Sequence, residues 1–341
     1  PAPGHFDLVV FDEASQVLPE EAVPALYRAR QFVAAGDQHQ LPPTTFFASA
    51  IDEADVEEAL EAQAAAHGAT SGFESVLDTL ASFAPSRMLE WHYRSQDERL
   101  ITFSNVEIYD QRLVTFPSAR AADAVTHVLT PPDAALGAQT HSPSPEVARV
   151  VELVLEHART RPNESLGVIT LGLPHARRIE AALDRARLEM PQELAAFFAL
   201  EREERFFVKN LETVQGDERD AIVLSLGCGR AAGGQLDLRA FGPLNGAAGY
   251  RRLNVAVTRA RRRMCVVSSF RADELDLGRS EARGVALLKA YLAYAANGGQ
   301  RLVASERAEE FPSNAFESDV RSALEARGVK LRAQFGAGRF R

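Results

Sequence analysis

Leu8-Val9-Val10-Phe11-Asp12-Glu13-Ala14-Ser15-Gln16 is the stretch from which the rest of the chain is read. Leu8 to Phe11 are apolar and largely β-favouring, which predicts a strand buried on both faces; the run ends abruptly in two carboxylates and a polar turn. In an open α/β sheet, ligands sit beyond the carboxyl ends of strands, so Asp12 and Glu13 stand where chemistry takes place. One carboxylate can hold a hydrated Mg²⁺ beside a phosphate, while its neighbour polarises a water for attack on phosphorus. A strand that merely ends in an acidic turn reads the same, and only the remainder of the sequence separates the two.

The pattern recurs. A short helix begins at Pro19, with Glu20 and Glu21 in its first turn, and Gln31 to Ala35 predict a second strand. That strand ends in Gly36-Asp37-Gln38-His39-Gln40-Leu41-Pro42-Pro43-Thr44, a polar loop stiffened by two prolines. Residues 51–83 have a helical pattern broken near 68–72, and residues 87–95 read as a strand running into a helix. Trp91 and Tyr93 in that stretch are expected in the core or between domains, and Arg94 is a candidate phosphate-directed guanidinium.

From residue 144 the alternation becomes regular. Helices are predicted at 146–159 and 174–187, and strands near 125–129 and at 166–171, 206–209, 221–226 and 264–268. This implies a second, mostly parallel doubly wound sheet. Two of its connections carry polar groups. In 211–220, Gly216 allows close backbone approach, and Thr213, Gln215 and Glu218 are candidates for contact with a nucleotide or a strand backbone. Residues 253–263 are predicted as one helix, its final arginines complementing the dipole, with Arg259 a turn earlier as the residue of interest.

The formal net charge of −9 argues against a generally basic, DNA-coating protein but leaves room for a local cationic groove. Cys228 and Cys265 form no disulfide framework, so a cytoplasmic setting is expected. The eight histidines show no metal-ligand spacing, and no apolar run is long enough for a membrane span. The chain opens on Pro1 without a methionine and is expected to be a piece of a longer protein.

DEASQ at 12–16, GDQHQLPPT at 36–44, WHYRS at 91–95, ETVQGDE at 212–218 and LNVAVTRAR at 253–261, in this order and spacing, resemble the later motifs of superfamily 1 helicases. The closest likeness is to the Upf1-like branch, and within it to large bacterial helicases with an appended nuclease-like domain. The resemblance covers residues 5–270. It implies an α/β P-loop NTPase of RecA-like parallel sheets that uses ATP and Mg²⁺ and acts on single-stranded nucleic acid, DNA more than RNA. Asp12 would be the metal ligand, Glu13 the residue orienting water, and Gln40 the γ-phosphate sensor. Arg94 and Arg259 resemble paired arginine fingers, Glu218 the ribose contact, and Thr213 and Gln215, beside Gly216, the link between strand groove and nucleotide.

The implied domains are the C-terminal part of a first RecA-like unit (1–85), a second RecA-like unit (86–305), and the start of a restriction-endonuclease-like domain of the very-short-patch-repair type (306–341), with Glu317 on its first helix. One feature departs from the family: no lysine here follows a glycine, so the G-x-x-x-x-G-K-[ST] phosphate loop is absent. The chain alone is therefore expected to bind ATP weakly without turning it over. A nucleotide-gated clamp that does not unwind, and a degenerate truncated product, are the alternative readings.

Overall fold

The computed structural model describes residues 2–43, 72–117, 123–133, 142–189, 191–230, 234–236, 238–300 and 315–329. The opening apolar run forms β1 (Phe6–Phe11), followed by a 3-10 turn at Ala14–Gln16 and α1 (Pro19–Arg28). Proline at the first helical position and acidic residues in the first turn suit that helix start. β2 (Ala29–Ala34) pairs parallel to β1, with Leu8 opposite Gln31 and Phe11 opposite Ala34. α2 (Val76–Ala81), N-capped by the Ser75 hydroxyl, covers one side, where Ala14, Ala22, Val76 and Leu80 pack with Phe11 and Phe32.

The other side carries Leu8, Val10 and Val33, and Val10 is 60% exposed. The expected burial of this strand on both faces therefore fails among the described residues. An apolar run shows that both faces want cover, not what supplies it. Residues 51–71 and Thr44 lie outside the described residues.

The second sheet is larger. α3 (Arg99–Glu107) precedes β3 (Val125–Leu129), and then come α4 (Ser144–Thr160), β4 (Leu166–Thr170), α5 (Leu173–Glu189), β5 (Phe207–Asn210), β6 (Arg219–Ser225), α6 (Gly249–Val257), β7 (Ala260–Ser268) and α7 (Arg283–Ala296). The five strands are all parallel in the order β3-β7-β6-β4-β5. Side chains alternate between its two faces. Ile169, Ile222, Leu224, Met264 and Val266 join a core with Phe103 of α3, Val255 of α6 and Leu288 of α7. Val168, Ala221, Val223 and Val267 join another with Val150 and Val154 of α4 and Ile179 and Leu183 of α5. Helices on both faces are what strands apolar in every position require.

Three expectations need correction. The stretch 253–263 is not one helix: α6 ends at Val257, with the Thr258 hydroxyl donating to the Asn254 carbonyl at 2.8 Å, and Ala260 opens β7. A β-bulge against Arg219–Ala221 falls where Arg261 and Arg262 sit, and both pair with Asp220. These arginines answer carboxylates across strands rather than a helix dipole. Residues 87–95 form only an isolated bridge, Trp91 to Val114, and the helix starts at Arg99. Trp91 is exposed beside Phe116 and Tyr93 is 90% exposed, so neither is core.

Among the described residues no helix is long and apolar enough to cross a membrane. The terminal helix α8 (Ala315–Glu325) is amphipathic, with Phe316 and Glu317 both exposed. Residues 306–314 and 330–341 of the expected nuclease-like stretch lie outside the described residues.

Candidate active site

At the carboxyl end of β1 the chain turns sharply. Glu13 adopts a left-handed conformation (φ 50°, ψ 40°), uncommon for a residue with a side chain and concentrated at functional turns. Its backbone N–H donates to Asp12 Oδ1 at 3.0 Å, and its Oε2 accepts from Gln16 Nε2 at 3.1 Å. Both carboxylates are exposed. The end of β2 passes close by: a Cβ at Gly36 would stand 3.0 Å from the Ser15 backbone nitrogen, so glycine suits that crossing.

The loop after β2 is ordered by Asp37. Its Oδ1 accepts from the His39 N–H at 2.9 Å, and its Oδ2 accepts from Gln40 Nε2 at 3.1 Å. The second sheet holds the same loop. The Tyr109 hydroxyl donates to Asp37 Oδ2 at 2.7 Å, and Asn254 Nδ2 donates to the Tyr109 oxygen at 2.9 Å and to the His39 carbonyl at 3.0 Å. Burial, with the Asp37 carboxylate beside it, pushes the Tyr109 phenol well above its ordinary value, so it stays protonated and donating.

Arg259 lies between α6 and β7 and is buried. Its guanidinium donates to the Val255 carbonyl (2.8 Å), the Thr258 hydroxyl (3.1 Å) and the Asp217 carbonyl (3.4 Å). Burial first, and then the Arg94 charge, lower its pKa to about 10, against opposing pulls from Tyr109, Glu13 and Glu218. Arg94 itself pairs with Glu218 at 2.8 Å, and Glu218 also meets Arg261 at 3.4 Å.

The β5–β6 connection is the fourth wall. Gly216 has φ +84° with open space where a Cβ would be, and Gln215 Nε2 is buried with no hydrogen-bond partner among the described residues. Thr213 bonds within its own turn, to Asn210 Oδ1 at 2.8 Å. The structure thus gathers Glu13, the Gln40 loop, Arg94, Glu218 and Arg259, while Asp12 flanks Glu13 and Thr213 stays within its own turn. Sequence reasoning passed over Asp37 and Asn254 although both lie inside quoted motifs, and it had no signal for Tyr109.

The donor set suits the metal and γ-phosphate end of a Mg²⁺–nucleotide. Exposed carboxylates at a strand end are hard oxygen ligands, the guanidiniums complement phosphate, and the unpartnered Gln215 amide is a donor in search of an acceptor. Among the described residues no group of three or more His, Cys, Asp or Glu side chains could hold a metal by itself. The sequence contains no G-x-x-x-x-G-K-[ST] motif.

Residues 69–271 match the model of an AAA domain, and residues 2–48 match a second AAA domain model. The chain is 36% identical over 319 residues to an uncharacterised ATP-dependent helicase of Mycoplasma genitalium, covering 88% of this chain and 26% of that protein. It is 26% identical over 276 residues to the DNA-binding protein SMUBP-2 of Rattus norvegicus, covering 77% of this chain and 25% of the relative. The chain therefore spans about a quarter of the length of these curated relatives. Among solved structures, the arterivirus nonstructural protein 10 helicase with DNA shares 13% identity over 76% of this chain and 39% of its own. Its TM-score of 0.34 adds nothing to the fold assignment.

Proposed function

The chain belongs to the AAA-domain, Upf1-like branch of the superfamily 1 helicases, with a RecA-like parallel fold, and from that membership we propose that it is the part of an ATP-dependent motor in which two sheets share one hydrolytic site. Residues 1–85 are the C-terminal part of the first RecA-like unit and 86–305 the second. Residues 306–341 open a restriction-endonuclease-like domain. The reading is carried by Arg259, a buried cation whose turn, through Thr258 and Asn254, meets the His39–Gln40 loop of the other sheet.

When bound, Mg²⁺–ATP supplies the electrophilic phosphoryl group and neutralises charge at its oxygens. Asp12 would hold the metal and Glu13 orients a water, the left-handed turn presenting its carboxylate beyond the strand end. Gln40, its amide steered by Asp37, senses the terminal phosphate. Arg94 and Arg259 would stabilise charge developing there, and Glu218, paired with Arg94 in this structure, would contact a ribose hydroxyl. Thr213, Gln215 and Gly216 link the nucleotide to a strand backbone. With catalytic groups on both sheets, hydrolysis depends on their closure, which couples it to stepping along a single strand. Taken alone, the chain lacks the phosphate loop and turns over no ATP. The free thiols of Cys228 and Cys265 suit a cytoplasmic setting.

SMUBP-2 is described as a DNA-binding protein, and single-stranded DNA is the proposed track here. The full-length protein is expected to displace a strand from tailed DNA duplexes in an ATP-dependent manner, measured by release of a labelled oligonucleotide. Hydrolysis without displacement supports a nucleotide-gated clamp instead.

A further inference from the structure

We propose that Tyr109 is a positioning residue for hydrolysis: its hydroxyl joins the Gln40 loop of the first sheet to the Arg259 turn of the second, so that the phosphate-facing groups of both sheets are set together. The inference rests on the reading of those residues as one site.

The proton accounting at Tyr109 is complete. Its single O–H donates to Asp37 Oδ2 and its oxygen accepts from Asn254 Nδ2. Asp37 Oδ2 also takes the Gln40 amide, so the oxygen that orients Gln40 is the one Tyr109 holds. Asn254 is fully buried and directs its side-chain amide to Tyr109 and to the His39 carbonyl, meeting the loop directly at His39. Its backbone carbonyl accepts from the Thr258 hydroxyl, and Thr258 Oγ1 accepts from Arg259 Nη2.

Gln40, Asp37, Tyr109, Asn254, Thr258 and Arg259 thus form an unbroken run of polar contacts from one sheet to the other. The His39 ring stands edge-on to Tyr109 at 5.3 Å and walls the run on one side. A tyrosine present only to fill space has no need of its hydroxyl; here that hydroxyl bonds the carboxylate that orients Gln40 and the amide that holds the Arg259 turn. Contiguity alone does not demonstrate coupling, which double-mutant kinetics measure.

The test is ATP hydrolysis by the full-length protein with single-stranded DNA. Tyr109→Phe, which keeps the ring and removes the hydroxyl, is expected to lower kcat roughly tenfold with KM for ATP changed by less than about threefold. Combined with Gln40→Ala, it is expected to cost no more than Gln40→Ala alone. If Tyr109→Phe melts early by circular dichroism, Asp37→Asn, which weakens the same junction from the other side, is read in its place and is expected to show the same kcat loss and the same non-additivity. Turnover of the single variants equal to wild type, or losses that multiply in the double variants, overturn the inference while leaving the motor reading standing. A wild-type protein that hydrolyses no ATP overturns the motor reading and this inference with it.

Discussion

Arg259→Ala is expected to lower the strand-stimulated kcat of the full-length protein by on the order of a thousandfold, the contribution typical of an arginine finger. The expectation comes from how this side chain is kept. Several other partly buried arginines meet carboxylates, as in Arg94–Glu218, Arg252–Glu212 and Arg261–Glu204. Arg259 is buried, yet its hydrogen bonds among the described residues go to two backbone carbonyls and a hydroxyl. Desolvation lowers its pKa to about 10, which still leaves it charged at neutral pH. A buried cation held by neutral acceptors is matched when an anion arrives, and phosphate is the anion a parallel-sheet cleft presents. Arg259→Lys separates charge from geometry. A lysine keeps the cation but cannot reach three acceptors with a planar fork, so most of the loss should persist. ATP affinity is expected to move only a few-fold, because the interaction strengthens in the transition state. Turnover of Arg259→Ala within about threefold of wild type would remove the finger assignment.

The second large effect is on stability. Glu146→Ala should cost about 3 kcal/mol in chemical denaturation followed by circular dichroism, since it strips buried donors of their acceptor. Glu146 lies at the start of α4 with no exposed surface, and its Oε1 accepts from the Ser225 hydroxyl at 2.7 Å and the Gly227 N–H at 2.8 Å. His175 completes the network, with Nε2 2.7 Å from Ser225 Oγ and Nδ1 2.6 Å from Ser142 Oγ. Gly227 has φ +65°, and a Cβ there would stand 2.5 Å from the His175 ring, so the turn after β6 is set around this cluster. The carboxylate thereby ties α4, α5 and the end of β6 together. Glu146→Gln retains an oxygen acceptor and should lose much less. Equal, small losses for both variants would mean that the network contributes shape rather than bonding.

Much of the second sheet was legible because its strands alternate between two apolar helix layers, which makes them apolar at every position. Val168 and Ile169 each have a buried destination, and a run of such residues says strand in either direction. The boundary between α6 and β7 was not legible. Arginines 261–263 suit a helix end as well as a strand start, and only their carboxylate partners Glu204, Asp220 and Glu164, distant in sequence, favour the strand. The exposure of Trp91 and of Val10 is likewise a property of neighbours, which local pattern does not contain.

At the site, the carboxylates and arginines could be named because phosphoryl chemistry restricts which side chains serve, and strand ends restrict where. Tyr109 escaped for the opposite reason. A tyrosine after a helix carries no spacing signal, and its meaning arises only when Asp37 and Asn254 converge on its oxygen from 72 and 145 residues away.

The central claim, that carboxylates of the first sheet and arginines of the second serve one hydrolysis reaction, is tested most directly by single-strand-stimulated ATP hydrolysis of the full-length protein carrying Glu13→Gln. The amide keeps the size of the side chain and cannot take a proton from water, so kcat is predicted to fall at least roughly a hundredfold with ATP binding retained. A Glu13→Gln protein that hydrolyses ATP at the wild-type rate would contradict the account.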